Sequence, residues 1–341
     1  MSRKGNPKQF IEVVDERTLI QNTVARLQGI IPPERCFIVT NERYVQQTHD
    51  QLPAIPRENI LAEPIARNTA PCIAYAAYRI QKLDPDATMV VLPADHVIQN
   101  VRLFHDALNK SIEAAKRDGA LVTIGITPPY PATGYGYIQF DGTGGTDKDD
   151  VPVFPVRTFA EKPGLETAER FVDSGDFLWN SGMFIWRVGS IMDAFREHLG
   201  KVASAFDGIA SEIGTDTEPS AVQRAYAACP NISIDYGVME RSEHVFVVPG
   251  TFDWSDVGDW RAVYDLQEKN SNGNVMLGNA LAQDSRNCMI KAGDRLVAVV
   301  GVEDIIVVDT GDATLVCHQA KTQQVKQVVD YLNSERLESF L

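Results

Sequence analysis

One short apolar run constrains the fold more than any other part of this sequence. Residues 89–92 are apolar, a proline follows at position 93, and a carboxylate and an imidazole stand at Asp95 and His96. Apolar runs of this length that stop at a proline are typical of buried strands. Ligands of open α/β sheets bind beyond the carboxyl ends of the strands, so we expect Asp95 to lie in a functional site.

The first part of the chain alternates between strand and helix patterns. The predicted strands cover residues 36–40, 59–62, 89–92 and 120–125. The predicted helices cover residues 18–28, 42–51, 68–83 and 101–116. Such alternation is typical of an α/β fold with a mixed, mostly parallel sheet that carries helices on both faces.

The pattern changes after residue 127, where prolines and glycines break the alternation. Longer strands are predicted over residues 135–140 and 153–160, with a loop rich in Gly and Asp over 141–150. The next predicted elements are helices over 165–172 and 190–213 and a loop over 216–219.

The polar stretch 269–274 is the clearest domain boundary. Beyond it, residues 276–317 contain short strand patterns separated by turns, and residues 321–333 have the spacing of an amphipathic helix. We therefore predict a larger α/β domain over residues 1–268 and a small β-rich domain with a closing helix over residues 275–341.

Net charge, apolar runs and cysteine content limit the partners and the cellular compartment that we expect. The net charge of −14 argues against a nucleic-acid partner, because phosphate backbones require a positive surface. No apolar run approaches the ~20 residues of a membrane helix and no signal-peptide pattern opens the chain, so no membrane partner is expected. The five cysteines are scattered and odd in number, which favours reduced thiols in the cytoplasm.

A second carboxylate, Asp256, stands in the segment 252–258, far from Asp95 in the sequence. Two such acids can share one Mg²⁺ ion, which makes phosphoryl or nucleotidyl transfer the leading chemistry. Structural alternatives stay open at both positions. Asp95 can be a cap after a strand, and Asp256 can belong to a turn before the helix pattern around Trp260.

Two further groups of polar residues interrupt apolar stretches. Glu161 and Lys162 follow a predicted strand, where Lys162 suits a phosphate as a compact point charge. An exposed surface pair is an equal alternative. Asn180 and Gly182 suit the hydroxyls of a sugar, although a tight turn explains them equally well.

The segment 63–71 joins a predicted strand to a predicted helix. Asn68 or Thr69 can cap that helix, which is the structural alternative. The functional alternative is a loop that binds a base or a ribose at the helix N-terminus. Lys8 stands near the chain start, where a lone lysine is ordinarily solvated.

Eight segments, in their order and spacing, resemble the mannose-1-phosphate guanylyltransferase family, also called GDP-mannose pyrophosphorylases, in its bacterial monofunctional form. They are residues 7–10, 63–71, 92–96, 134–138, 159–163, 179–184, 233–236 and 254–258. The resemblance implies a Rossmann-like nucleotidyltransferase domain followed by a small left-handed β-helix-like domain. It also implies that GTP and mannose 1-phosphate are converted to GDP-mannose and pyrophosphate.

The same resemblance implies roles for residues on the phosphate side. Asp95 and Asp256 are expected to hold Mg²⁺ between the α-phosphate of GTP and the sugar phosphate. Lys8 is expected to steady the triphosphate, and Lys162 to contact the phosphate of mannose 1-phosphate. Asp95, Lys8 and Lys162 are thereby the expected catalytic residues.

It also implies a set of substrate-binding residues. The residues expected at the sugar, by side-chain contact or by close approach of the backbone, are Glu161, Asn180, Gly134 and Gly182. The residues expected at the guanine and ribose are Glu63, Arg67, Asn68 and Thr69.

The chain departs from the family pattern at its start. Family members begin with a strand and a glycine-rich loop, A-G-G-x-G-T-R, ahead of the segment that matches residues 2–9. Either the natural start lies further upstream, or this is a truncated product with little activity. The functional residue types retained downstream favour the first interpretation.

Two other functions stay open, and one assembly is expected. The enzyme can act on another sugar 1-phosphate, such as a manno-heptose, or the chain can be a non-catalytic GDP-sugar-binding protein. The apolar helix face at Val325 and Val329, together with the resemblance, indicates a homodimer.

Overall fold

A computed structural model of the chain describes residues 7–142 and 151–337. The chain divides into two compact units. The larger unit comprises residues 24–93 and 98–254, and the smaller unit comprises residues 1–23, 94–97 and 255–341. The domain boundary predicted at residues 269–274 stays a prediction, and most of the predicted loop 141–150 lies outside the described residues.

Strands and helices follow one another along both units. The strands are β1 (Ile38–Asn41), β2 (Ile60–Glu63), β3 (Thr88–Val91), β4 (Val97–Ile98), β5 (Leu121–Ile126), β6 (Gly136–Phe140), β7 (Phe154–Glu161), β8 (Phe177–Arg187), β9 (Val245–Gly250), β10 (Trp254–Ser255), β11 (Val275–Leu277), β12 (Ala280–Gln283), β13 (Met289–Lys291), β14 (Val297–Val300), β15 (Ile305–Asp309) and β16 (Thr314–His318). The α-helices are α1 (Leu19–Ala25), α2 (Val45–Gln51), α3 (Thr69–Leu83), α4 (Val101–Ala115), α5 (Leu165–Ser174), α6 (Val188–His198), α7 (Gly200–Asp207), α8 (Glu218–Ala228), α9 (Trp260–Leu266) and α10 (Val325–Ser334). None of these described helices combines the length and apolar character that a membrane span requires.

A six-stranded mixed sheet forms the centre of the larger unit, in the order β3-β8-β5-β9-β7-β6. β5 and β9 pair in parallel, whereas β8 runs antiparallel to β3, β5 and β6. β7 likewise runs antiparallel to β6 and β9. Strands β3, β5, β6 and β9 therefore share one direction, but reversed strands separate most of them, so fewer neighbouring pairs are parallel than the sequence pattern suggests. β1 and β2 form a separate parallel pair.

The helices of the larger unit enclose an aromatic cluster against α3. The rings of Tyr75 and Tyr78 pack on Phe206 of α7, and Tyr75 also meets Tyr226 of α8 edge-on. The Tyr75 hydroxyl donates to Glu218 at 2.8 Å. Burying these rings stabilises the unit, and the hydroxyls avoid the cost of unpaired buried polar groups.

Two predicted elements differ from the structure in this region. The helix predicted over 190–213 is broken at Leu199, whose backbone leaves the helical region, so α6 and α7 are separate. The predicted loop 216–219 is wrong at its end, because α8 begins at Glu218 with a proline in its first turn, a position that tolerates proline.

Short parallel strands stack in register in the smaller unit. Val275 of β11 pairs with Met289 of β13, which pairs with Ile306 of β15. β12 and β14 form a second parallel ladder, and β16 closes the first one antiparallel. Successive strands that stack in parallel through short turns are the arrangement of a β-helix. The predicted combination of an α/β fold with a small β-rich part is confirmed.

We expect Gly278 to be essential to this stack. Its φ is +73°, and a Cβ atom there would lie 2.0 Å from the Ala292 carbonyl oxygen. Gly278→Ala should therefore combine left-handed strain of about 1–2 kcal/mol with overpacking of about 1–3 kcal/mol. The measurement is the free energy of unfolding in urea.

Gly301→Ala is the matched control, because Gly301 has φ +65° but open space around the added Cβ. It should show the backbone strain without the clash. Equal losses in the two variants would contradict the close approach at Ala292.

Candidate active site

Lys8 brings two distant carboxylate-bearing segments of the smaller unit together. Its Nζ donates to Asp95 Oδ2 at 3.1 Å and also to the main-chain oxygen of Asp256. The short 3-10 helix Lys8–Phe10 anchors the lysine, because Phe10 is 4% exposed. The side chain of Asp95 is 37% exposed and thus accessible to a ligand. Three residues singled out in the sequence therefore meet at one place.

A strained turn fixes Asp256. The Ser255 hydroxyl accepts from the Val257 N–H at 3.1 Å, and Asp256 Oδ1 accepts from the Gly258 N–H at 3.1 Å. Val257 is fully buried and has φ +49°, a conformation that a β-branched residue rarely adopts. Such strain costs on the order of 1–3 kcal/mol and is commonly found at functional sites.

The chemistry of the two carboxylates, Asp95 and Asp256, fits Mg²⁺. Among the described residues, no group of three or more His, Cys, Asp or Glu side chains could hold a metal ion by itself. Mg²⁺ is usually bound by one or two carboxylates and completes its shell with water and substrate phosphates, so Asp95 and Asp256 are a sufficient protein contribution. The ammonium group of Lys8 beside Asp95 indicates that a cation is favourable there.

The larger unit contains a second polar cluster, centred on the end of β7. The side chain of Glu161 is 13% exposed, and its Oε1 lies 3.3 Å from Nζ of Lys162, whose side chain is 61% exposed. Burial raises the pKa of Glu161, and the nearby charge of Asp235 raises it further. Burial also raises the pKa of Asp235. The cation beside these carboxylates in the described part of the chain, Lys162, is largely exposed to water and compensates their charge only in part.

Asn180 lies within β8, so the interpretation of residues 179–183 as a tight turn is wrong. Its Nδ2 donates to Asp235 Oδ1 at 2.7 Å, and its Oδ1 accepts from the Gly182 N–H at 3.1 Å. Gly182 has φ +70°, which allows its N–H to turn back toward Asn180. Both ends of the Asn180 amide are thus held by protein groups.

The two glycines near the start of β6 have different surroundings. A Cβ atom on Gly134 would meet nothing within 4 Å, so the backbone here gives no steric reason for glycine. At Gly136, by contrast, a Cβ atom would lie 2.4 Å from Glu161 Oε2 and 3.3 Å from the Asn180 Cβ. The absence of a side chain at Gly136 therefore makes room for the Glu161 carboxylate.

The segment between β2 and α3 is held by α8 and the residues that follow it. The Tyr226 hydroxyl donates to Glu63 at 3.0 Å, and Arg67 Nε donates to the Tyr226 carbonyl oxygen at 3.3 Å. Asn68 is the N-cap of α3, and its side chain accepts from the Thr69 N–H. Burial raises the pKa of Glu63, which the hydrogen bond from Tyr226 opposes.

Sequence reasoning missed three residues of these clusters. Asp235 and Gly136 lie in segments that carry the family resemblance, but no local pattern indicated a role for either, and none indicated one for Glu240, whose pKa is raised by burial and by the charges of Glu161 and Asp235. The signal that could have found Asp235 is the acidic residue within the otherwise apolar and small stretch 232–239.

The chain is similar to known proteins in sequence and in fold. The chain matches two families, described as Nucleotidyl transferase over residues 1–273 and as MannoseP isomerase/GMP-like beta-helix domain over residues 278–332. It is 39% identical to the alginate biosynthesis protein AlgA of Pseudomonas putida, covering 98% of this chain and 69% of that protein. It is 38% identical to a mannose-1-phosphate guanylyltransferase of Klebsiella pneumoniae, covering 98% and 71%.

A solved structure described as a mannose-1-phosphate geranyltransferase from Thermus thermophilus is also similar. Its TM-score is 0.86 at 31% sequence identity, and the match covers 97% of this chain and 94% of that chain.

We expect Glu161→Gln to stabilise the protein more as the pH rises. The raised pKa means that the folded protein binds this proton more tightly than the unfolded chain does. Wild-type stability therefore falls as the pH rises from the ordinary glutamate pKa through the raised one. Glutamine removes that loss. The free energy of unfolding of the variant should therefore exceed that of the wild type by on the order of 1 kcal/mol above this pH range and by little below it.

Urea unfolding across this pH range measures the effect, with Glu169→Gln on the exposed part of α5 as the matched control. If Glu161→Gln is no more stable than the wild type at high pH, Lys162 compensates the charge of Glu161 and the prediction is wrong.

Proposed function

This chain belongs to the mannose-1-phosphate guanylyltransferase family, and we propose that it makes GDP-mannose and pyrophosphate from GTP and mannose 1-phosphate. An oxygen of the sugar phosphate attacks the α-phosphorus of GTP. The bond from that phosphorus to the oxygen that bridges it to the β-phosphate breaks, and pyrophosphate leaves. The observation that best supports this function is the meeting of Lys8 with Asp95 and Asp256, which lie 87 and 248 residues away in the sequence.

The chemistry requires alignment and charge neutralisation more than covalent help. Asp95 and Asp256 would hold Mg²⁺, which neutralises phosphate charge when bound. Lys8, with an ammonium group already ordered beside Asp95, is suited to donate to phosphate oxygens. Lys162 carries an exposed ammonium group, and we assign it to the phosphate of mannose 1-phosphate.

The remaining predicted residues are assigned to binding. Glu161 and Asn180 offer acceptors and a donor to the sugar hydroxyls, with Gly134 and Gly182 on the backbone beside the sugar. The guanine and ribose are assigned to the segment between β2 and α3, through Glu63, Arg67, Asn68 and Thr69. The side chains of this segment are held by hydrogen bonds, so little ordering entropy is lost on binding.

The proposed setting is the cytoplasm. All five cysteines are free thiols, which suits a reducing compartment. GTP and mannose 1-phosphate are the proposed partners, and neither a nucleic acid nor a membrane is needed for this reaction.

Asp95→Asn and Asp256→Asn should each lower kcat by about 10²-fold or more, because a carboxylate that would hold Mg²⁺ is lost. The measurement is pyrophosphate release from GTP and mannose 1-phosphate with Mg²⁺. Asp106→Asn, on the exposed face of α4, is the matched control and should keep its activity. Full activity of Asp95→Asn would contradict the role assigned to the pair.

The same assay tests the function itself, on this chain and on a version preceded by the strand and glycine-rich loop of the family pattern. Turnover by either one supports guanylyl transfer. Turnover with a manno-heptose 1-phosphate but not with mannose 1-phosphate would show that the sugar substrate is the heptose. Binding of GDP-mannose without any turnover by either version would favour a non-catalytic binder.

We also propose a homodimer that forms through α10. None of the residues of this helix is buried, although Val325, Val328, Val329 and Leu332 share one face. Val329→Glu should halve the mass in solution to the 37.7 kDa of one chain. Light scattering after size-exclusion chromatography measures the mass.

Gln327→Glu adds the same charge on the opposite side of α10, and it should leave the dimer intact. A wild-type mass of one chain at micromolar concentration would contradict the dimer.

A further inference from the structure

We propose that Asp235 is a sugar-recognition residue, whose carboxylate holds Asn180 in place and accepts a hydrogen bond from a ring hydroxyl of mannose 1-phosphate. This inference rests on the proposed function and deepens it. It adds a residue to which neither the sequence patterns nor the resemblance gave a role.

The backbone around Asp235 has a defined shape and is held in place by neighbouring residues. Asp235 begins a π-helical turn, Asp235–Met239, a rare feature that is frequent at functional sites. The Ile234 N–H just before it donates to the Thr69 hydroxyl at 2.9 Å. A Cβ atom on Gly237 would lie 2.6 Å from Leu199 Cδ1, so glycine permits the close packing of this turn. The carboxylate therefore projects from an anchored segment.

Asp235 completes the restraint of Asn180. The Asn180 Oδ1 faces the Gly182 N–H, and its Nδ2 faces Asp235 Oδ1 at 2.7 Å, so the amide has one orientation that satisfies both neighbours. A side-chain amide has two N–H donors, and a carboxylate has about four acceptor positions. One donor of Asn180 and further acceptor positions of Asp235 thus stay available to a ligand beside each other.

The charge balance of the cluster favours a ligand that donates hydrogen bonds. Asp235 and Glu161 are close enough to influence each other, and Glu240 is affected by both. The cation near them, Lys162, has a largely exposed side chain. Buried carboxylates are costly without hydrogen-bond donors, and the hydroxyls of a sugar ring supply such donors without a further charge. A polyhydroxylated ligand therefore suits this cluster.

The test is the steady-state kinetics of Asp235→Asn and Asp235→Ala in the full chain. Loss of a hydrogen bond to a charged acceptor should raise KM for mannose 1-phosphate by about 10- to 100-fold. KM for GTP should change by no more than about 2-fold, since a sugar contact does not touch the nucleotide. Asp173→Asn, on the exposed part of α5, is the matched control.

Deoxy analogues separate recognition from a merely structural role. Mannose 1-phosphates that lack one ring hydroxyl each are compared in the wild type and in Asp235→Asn. The wild type should lose affinity for the analogue that lacks the hydroxyl bound by Asp235, and Asp235→Asn should no longer distinguish that analogue from mannose 1-phosphate.

The outcomes distinguish the two proposals. An active wild type with an unchanged KM in Asp235→Asn, or with KM for GTP raised equally, would overturn the role of Asp235 alone. Equal discrimination among the analogues by both proteins would overturn it as well. A wild type without turnover on any sugar 1-phosphate would contradict the proposed function and remove the basis of this inference with it.

Discussion

The polar site of the smaller unit depends on the hydrogen bonds that the ammonium group of Lys8 donates. It contacts a carboxylate that follows the apolar run at residues 89–92 and a carbonyl oxygen in the strained turn at Asp256. Without this ammonium group, the segments that carry Asp95 and Asp256 would lose the hydrogen bonds that join them. The same ammonium group is a natural partner for phosphate. Lys8 is therefore suited to two roles: it joins the two segments when no ligand is bound, and it balances the negative charge of a bound phosphate.

The larger unit has the opposite electrostatic character. Glu161 and Asp235 are buried near each other, and the principal compensation comes from hydrogen bonds with Asn180 and from an exposed lysine. A cluster of this kind favours neutral donors over anions. The polar site of the smaller unit thus presents an ammonium group suited to phosphate oxygens, whereas the cluster of the larger unit presents acceptors for hydroxyls beside the exposed Lys162.

Local patterns in the sequence were enough to find most elements and the carboxylates Asp95 and Asp256. Apolar runs with clear breakers predicted β3 and β5, and the spacing of apolar residues predicted α3 and α4. β8 was not predicted, because Asn180, Ser181 and Gly182 interrupt its apolar pattern. These residues are stabilised by contacts with distant parts of the chain, such as the Ser181 hydroxyl that donates to the Ile124 carbonyl oxygen. Asp235 was missed for the same reason, since its partner lies 55 residues away.

Val257 has a consequence for how this protein can change. Glycine there would relax the left-handed backbone but leave an empty space in the buried cluster around Tyr264, and a larger residue would keep the strain and crowd that cluster. Among the changes in size at Val257, only glycine would relieve the strain, and it would also loosen the backbone directly beside Asp256. At this residue, a substitution that relaxes the backbone for heat resistance would also change the direction in which the Asp256 carboxylate points.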